Sequence, residues 1–316
     1  MKASEPVDAF PSLAAKAARL RLFGKSPAGA YLRLNRQIWD IIPSSLRGFY
    51  PVRAYGAWLQ SLVRLSATRE QYFGTFFLRN RPMLELMRRL AEQKATGSPL
   101  RIAVLACSAG AEVYSILWTI RSARPDLNVV VHAMDISQQI LSFAENGVYA
   151  PSTSGLVGSS IFERLTAREM EHMFDWEGDV ASVKPWLREG ITWQLGDASS
   201  PDLIRILGTQ DIVVANNFLC HMEPSAAEAC LRNIAGLVDQ EGCLFVSGVD
   251  LEVRTRVARE LGWRPIPELI EQIHDGDPSV RSDWPWKWWG LEPLDRNRPD
   301  WRIRYATAFQ VKDRDA

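Results

Sequence analysis

The sequence predicts an α/β fold, a doubly wound and mostly parallel sheet preceded by an N-terminal helical region, and three observations carry it. The run Val104-Leu-Ala-Cys-Ser-Ala-Gly-Ala-Glu-Val-Tyr-Ser-Ile116 reads as a strand, a tight glycine turn and a helix. A second apolar run, Val129-Val-Val-His-Ala-Met-Asp135, ends in an acid, where such sheets hold a nucleoside cofactor at their carboxyl edge. Strand-like and helix-like stretches then alternate as far as Val249, the pattern of a sheet covered on both faces.

Residues 10–95 show apolar side chains at helical spacing over Leu13–Leu22, Tyr31–Ile42, Ala54–Leu65 and Pro82–Lys94. Breaks fall at Gly24-Lys-Ser-Pro27 and Pro43-Ser-Ser45, and Ala95-Thr-Gly-Ser-Pro99 reads as a linker. The expected division is therefore a helical domain over 1–98 and a sheet domain over 99–316. Strands are expected at 100–106, 129–134, 191–195, 211–215 and 242–249, and helices near 112–122, 137–146, 225–238 and 251–261. A last β-like run, Trp301–Val311, is expected to close the sheet as an edge strand or hairpin arm.

The 316 residues carry 37 Lys and Arg against 37 Asp and Glu, but the balance is uneven along the chain. Residues 1–100 hold 16 basic and 6 acidic side chains, and residues 101–316 hold 21 and 31. A basic helical region suits an acidic protein partner, a phosphate-bearing surface or the acidic domain beside it, and an ordinary solvated face accounts for it equally. No charge run indicates a nucleic-acid tail. No stretch reaches the roughly 20 apolar residues of a membrane span, and no signal-peptide core follows Glu5 and Asp8, which predicts a cytoplasmic protein. The four cysteines, Cys107, Cys220, Cys230 and Cys243, lack metal or disulfide spacing and read as small core residues.

The turn Ser108-Ala-Gly110 has one glycine where a dinucleotide cradle has three. A nicotinamide-dependent oxidoreductase is disfavoured on that ground. A cofactor without phosphates that needs close backbone approach fits better, and S-adenosylmethionine is such a molecule. Asp135 is placed for its ribose diol and Asp197 for its adenine edge; as alternatives, Gly110 is an ordinary turn and Asp135 a helix N-cap.

Several separated stretches then resemble, in order, the chemoreceptor glutamate methyltransferases, the CheR-type enzymes, as a divergent member. Thr75-Phe-Phe-Leu-Arg79 is similar to their Thr-x-Phe-Phe-Arg element, and Ala106–Ser115 to their Ala-x-Ser-Thr-Gly-Glu-Glu-Pro-Tyr-Ser turn. His132–Asp135, Ala144–Tyr149, Asp211–Met222 and Asp239–Phe245 match further elements, so the resemblance covers about residues 70–250. It implies a Rossmann-like methyltransferase domain that uses S-adenosylmethionine and leaves S-adenosylhomocysteine. By the same resemblance Thr75 and Arg79 contact the methionine end of the cofactor, and Glu112 its amino group. Asp135 then takes the ribose, Asp197 and Ala198 the adenine, while Gly110 forms the turn and Asn217 lines the pocket. A Glu in a first helical turn also favours the helix dipole, worth about 0.3–1 kcal/mol at a surface.

Four departures bear on the methyl acceptor. The family's Arg-Asn pair is Asn216-Asn217, and its Tyr four residues on is His221. Its Gly-His-Ser-Glu after the fifth strand is Ser247-Gly-Val-Asp250, and no counterpart is recognised of the small β subdomain with which chemotaxis members grip receptors. His221 is a candidate general base, with packing at a strand end as the alternative, and Arg79 a candidate for orienting an anionic acceptor. The expectation is methylation of an O or N acceptor, small-molecule or protein-linked, other than a receptor glutamate. The competing expectation is a catalytically silent module that senses S-adenosylmethionine or its product. The arm near 280–301 holds five tryptophans between Trp284 and Trp301; it is expected to roof the site or to plug the open sheet edge as a detached mini-core, with Arg281, Lys287, Arg296 and Arg298 attracting an anion.

Overall fold

The computed structural model describes residues 27–43, 45–66, 73–150, 159–276, 284–286 and 291–311. The expected helix over Leu13–Leu22 lies outside them. The chain forms two compact units, Met1–Thr68 with Ser279–Pro293, and Arg69–Pro278 with Leu294–Ala316.

The larger unit is built on a seven-stranded sheet of order β6-β2-β1-β7-β8-β10-β9. Its strands are β1 (Leu100–Leu105), β2 (Val129–Asp135), β6 (Ile191–Leu195), β7 (Gln210–Asn216), β8 (Val238–Ser247), β9 (Arg264–Pro265) and β10 (Ala308–Gln310). The first five pair in parallel, and β10 lies antiparallel between β8 and β9. Because side chains alternate along a strand, Ile102 and Val104 of β1 enter one apolar layer while Ala103 and Leu105 enter the other. The helices Arg81–Glu92 and Ala111–Ala123 cover the first face; Pro224–Ala235 and Leu251–Glu260 cover the second. Strand order reverses between β1 and β7, which opens a crevice at the carboxyl ends of these strands.

Three expectations are corrected. The compact units do not divide at residue 98: the helix Arg81–Glu92, N-capped by Asn80 whose Oδ1 accepts from Met83 N at 3.1 Å, buries Met83, Leu84, Leu86 and Met87 in the sheet's own core. Trp301–Val311 is not an edge arm; Trp301–Tyr305 is helical, and only Ala308–Gln310 pairs, inside the sheet. A small β element also exists. Strands β3 (Val148–Tyr149), β5 (Val180–Val183) and β4 (Phe174–Glu177) form a separate antiparallel sheet in the order β3-β5-β4. Its aromatic face packs Tyr149 and Phe174 edge-on against Phe77, with ring centroids 5.2 and 5.0 Å apart. Strands of two and four residues are too short to show a period in sequence.

In the smaller unit the helices Pro27–Ile41 and Tyr50–Ser66 enclose Trp39 and Leu59 with Trp284. The Trp284 indole is 7% exposed, meets Trp39 edge-on at 5.2 Å and donates from Nε1 to Gln60 Oε1 at 2.9 Å. The tryptophan-rich stretch is thus divided: Trp284 belongs to a small detached core, as the second alternative expects, but between helices rather than at a sheet edge, and Trp301 belongs to the other unit. Gly56 makes room for it, since a Cβ there would lie 2.1 Å from Trp284 Cη2. Trp284→Ala is expected to cost this unit about 3–5 kcal/mol, read as an earlier transition in thermal unfolding. Arg281, Lys287, Trp288 and Trp289 lie outside the described residues; Arg296 pairs with Glu271, and Arg298 with Asp300 at 2.9 Å. No helix among the described residues is long and apolar enough to cross a membrane. All four cysteines are buried and unbridged.

Candidate functional site

The crevice at the strand ends is a cavity of about 410 Å³ in the larger unit. Thr75, Arg79, Glu112, Asp135, Asp197, Ala198, Asn217 and His221 all line it, although they come from five separate segments of the chain. Gly110 does not. It N-caps the helix Ala111–Ala123 at φ +81°, and a Cβ would crowd Ala144 Cβ and Tyr114 Cε2 at 3.1 Å and Trp193 at 3.2 Å. Its role in this structure is the left-handed turn and close helix packing, and Ser108 is the turn residue that faces the cavity.

Asp135 ends β2 and is 3% exposed. Its Oδ2 accepts from Ser108 N at 2.9 Å and its Oδ1 from Ser137 N at 3.0 Å. The N-cap alternative for Asp135 fails, because Ser137 occupies that position and its hydroxyl accepts from Ile140 N at 3.4 Å. Two backbone amides fix the carboxylate while each oxygen retains acceptor capacity, which suits it to a pair of hydroxyl donors. Ser108 also fixes the 73–79 segment, its Oγ donating to Phe73 O at 2.8 Å, and Ser115 Oγ accepts from Leu78 N at 2.9 Å. Tyr149 of the small sheet donates to Ala109 O at 2.6 Å, so that sheet braces the same turn.

Glu112 lies in the first turn of its helix and accepts at Oε1 from Asn216 Nδ2 at 2.8 Å. Burial raises its pKa, against which the Asn216 hydrogen bond and the Arg79 charge act. A carboxylate held in a cavity against its own desolvation is more than a surface dipole partner. The Arg79 guanidinium lies 5.7 Å from the Phe76 ring centroid, and Arg164, 4.9 Å from that centroid, donates to Arg79 O at 2.8 Å.

The adenine-side candidates sit after β6. Gly196 N donates to Asp135 O at 3.0 Å, and Asp197 Oδ1 accepts from Ser199 N at 2.8 Å. His221 closes a short 3-10 turn, Leu219–His221, and lines the cavity with Phe218 and Met222. Three lining residues, Ala106, Ser108 and Asn217, have left-handed backbones at φ +53°, +49° and +61°. Non-glycine residues held there cost about 1–2 kcal/mol each, and such strain concentrates at binding sites. In the sequence Asn216 and Ser247 are only departures from the family pattern; strand register brings them into contact with each other, and Asn216 reaches Glu112. Cys107 and Cys230 also line the cavity, and burial pushes the Cys230 thiol up to about 12 and that of Cys107 well above its usual range, so both remain protonated near neutrality.

A doubly wound sheet with a ribose-suited acid after its second strand, a single-glycine turn and a cavity across its switch point defines a methyltransferase-type domain. The chain belongs to the CheR methyltransferase family: the family's SAM-binding domain matches residues 74–256, more than half of its length. Its cofactor is S-adenosylmethionine, and the lining agrees, with Asp135 as a buried and Glu112 as a half-buried acceptor and no triple-glycine cradle for a pyrophosphate. The chain is 23% identical over 224 residues to a probable biofilm formation methyltransferase, WspC, of Pseudomonas putida, covering 70% of this chain and 50% of that protein. It is 23% identical over 221 residues to chemotaxis protein methyltransferase 2 of Vibrio cholerae, covering 68% and 74%. The chain thus spans about half the length of the first relative. Among solved structures, magnesium protoporphyrin IX methyltransferase of Synechocystis with bound SAM aligns at 14% identity and a TM-score of 0.34, over 58% of this chain and 69% of that one.

Proposed function

We propose that this chain transfers the methyl group of S-adenosylmethionine to an oxygen or nitrogen acceptor other than a receptor glutamate. The observation that carries the proposal is His221, which lines the same cavity as Arg79, Glu112 and Asp135 where the family pattern has Tyr. A carboxylate acceptor is already ionised and needs no base. A hydroxyl or amine profits from one, and imidazole, with an ordinary pKa of about 6.5, removes protons near neutrality. The small antiparallel sheet removes one argument against a receptor-type acceptor; the Asn216, His221 and Ser247 departures remain.

In this reading Asp135 binds the ribose, Asp197 and Ala198 the adenine, Glu112 the amino group, and Thr75 with Arg79 the carboxylate end of the cofactor. Once bound, that cofactor would supply a methyl group on a sulfonium sulfur, which departs as a neutral thioether. Phe73, Phe76, Phe218 and Met222 exclude water around the acceptor, and Arg79 orients an anionic group on it. His221 accepts the proton of the attacking hydroxyl or amine. The basic helices of the smaller unit are proposed to meet an acidic protein partner.

Calorimetry with S-adenosylmethionine and S-adenosylhomocysteine, followed by a mass-spectrometric screen for a gain of CH2, tests the proposal. Binding without turnover across a broad acceptor panel would show a sensor instead. For His221→Phe the expected result is a fall in turnover of about 100-fold with loss of the acid limb of its pH profile, at unchanged cofactor affinity. An unaltered pH profile would remove the base.

A further inference from the structure

Two of the departures from the family pattern meet in space. Asn216 ends β7 and Ser247 ends β8, and the parallel register sets these residues opposite one another. Ser247 Oγ donates to Asn216 Oδ1 at 2.8 Å, and Asn216 Nδ2 donates to Glu112 Oε1 at 2.8 Å. The same amide nitrogen lies 3.5 Å from Met83 Sδ. An ionised carboxylate only accepts, so the amide must present its nitrogen to Glu112; its oxygen then faces Ser247, whose hydroxyl must donate. The direction of every proton in the chain is the one that an ionised Glu112 selects.

Both donors are on strand ends that cannot shift independently. Immediately after them the backbone turns left-handed in both strands, at Asn217 (φ +61°) and Gly248 (φ +60°), and Asn217 N donates to Ser247 O at 3.0 Å. Asn216 is 5% exposed, so a lost partner there is not replaced freely by solvent. The family pattern has a cation at the first position and glycine at the second. Here a neutral amide, oriented by a hydroxyl, takes the cation's place. The charged and titratable groups that face Glu112 are Arg79 from the preceding segment and Cys107 from the turn after β1, with Asp135, Asp197 and His221 elsewhere on the walls.

We infer that Asn216 and Ser247 are positioning residues that aim the Glu112 carboxylate into the cavity for the amino group of S-adenosylmethionine. This rests on the role proposed above for Glu112. It makes the two substitutions a single device: the hydroxyl is useful only with the amide, and the amide only with the acid. A neutral donor adds no second positive charge beside Arg79, so more of the negative charge of Glu112 is left for a cationic ligand.

The test is a carbon-13 NMR titration of the Glu112 carboxyl, assigned by its loss in Glu112→Gln, together with the Kd for S-adenosylmethionine across pH. Affinity is expected to hold above the Glu112 pKa and to fall as pH drops through it. Asn216→Leu removes the hydrogen bond that favours the ionised form and Ser247→Ala the one that orients its donor, so both are expected to move the titration midpoint upward. Asn216→Leu is expected to weaken binding about tenfold near neutrality. Ser247→Thr, which keeps the hydroxyl, is expected to stay at wild type. Midpoints and Kd values that coincide with wild type in both Asn216→Leu and Ser247→Ala overturn the inference, and Ser247→Ala alone decides it if Asn216→Leu does not fold. A shifted midpoint together with a Kd that is indifferent to Glu112→Gln overturns instead the role given to Glu112, and leaves the positioning chain standing.

Discussion

Asp135→Asn is expected to weaken S-adenosylmethionine binding by about 100-fold while lowering stability by about 1–3 kcal/mol. The two effects have different origins. In the folded chain Asp135 accepts from Ser108 N and Ser137 N through opposite oxygens, and both amides are fixed by the strand end and the turn. An Asn side chain has one acceptor atom, so one amide faces an NH2 group and loses its partner. The stability loss follows from that loss alone. The binding loss comes from replacing a charged acceptor of two hydroxyls by a neutral group that offers one acceptor and one donor. Calorimetry separates this from unfolding when it is carried out well below the transition measured in a parallel thermal melt. A variant that binds the cofactor like wild type would show that the ribose is held elsewhere.

Gly248→Ala is expected to be the most damaging single methyl addition at the site, at about 3 kcal/mol. A Cβ at Gly248 would lie 2.5 Å from Asn217 Cα and 2.9 Å from Asn217 N, both backbone atoms with nowhere to move. The position also has φ +60°, which a substituted residue resists. The backbone of β7 would have to shift just where Asn216 and Asn217 face the cavity, so a loss of cofactor affinity is expected to accompany the fall in Tm. Gly97, whose added Cβ would meet nothing within 4 Å, is a control for the effect of the positive φ alone. If Gly248→Ala and Gly97→Ala melt alike, the steric argument is wrong.

The parallel strands were readable because each is a run of buried apolar residues closed by a polar signal. Ile191–Leu195 has the expected limits, and Val129–Asp135 extends the expected strand by a single residue, the acid itself. The cavity-lining residues were reached by combining that topology with the ordered resemblance. Three kinds of information were hidden. The helix Arg81–Glu92 reads as one more member of the helical region, since its allegiance depends on which partner its apolar face finds. The strand Phe174–Glu177 is held through Phe174 by an aromatic contact with Phe77, about a hundred residues earlier; it pairs with Val180–Val183, and both carry little local pattern. The link from Ser247 through Asn216 to Glu112 joins three distant segments, and only the register of β7 against β8 brings them together.

The division of the tryptophan-rich stretch bears on synthesis. Trp284 and the carbonyls of Leu291 and Pro293, which accept from Gln60 and Arg53, belong to the unit whose helices are made first. As the chain leaves the ribosome, those helices must wait with Trp39 and Leu59 incompletely covered until almost the whole sheet domain has been translated. The unit begun first is therefore among the last to be completed, and a nascent chain stalled before Trp284 would present an apolar surface to chaperones while its methyltransferase sheet was already largely translated.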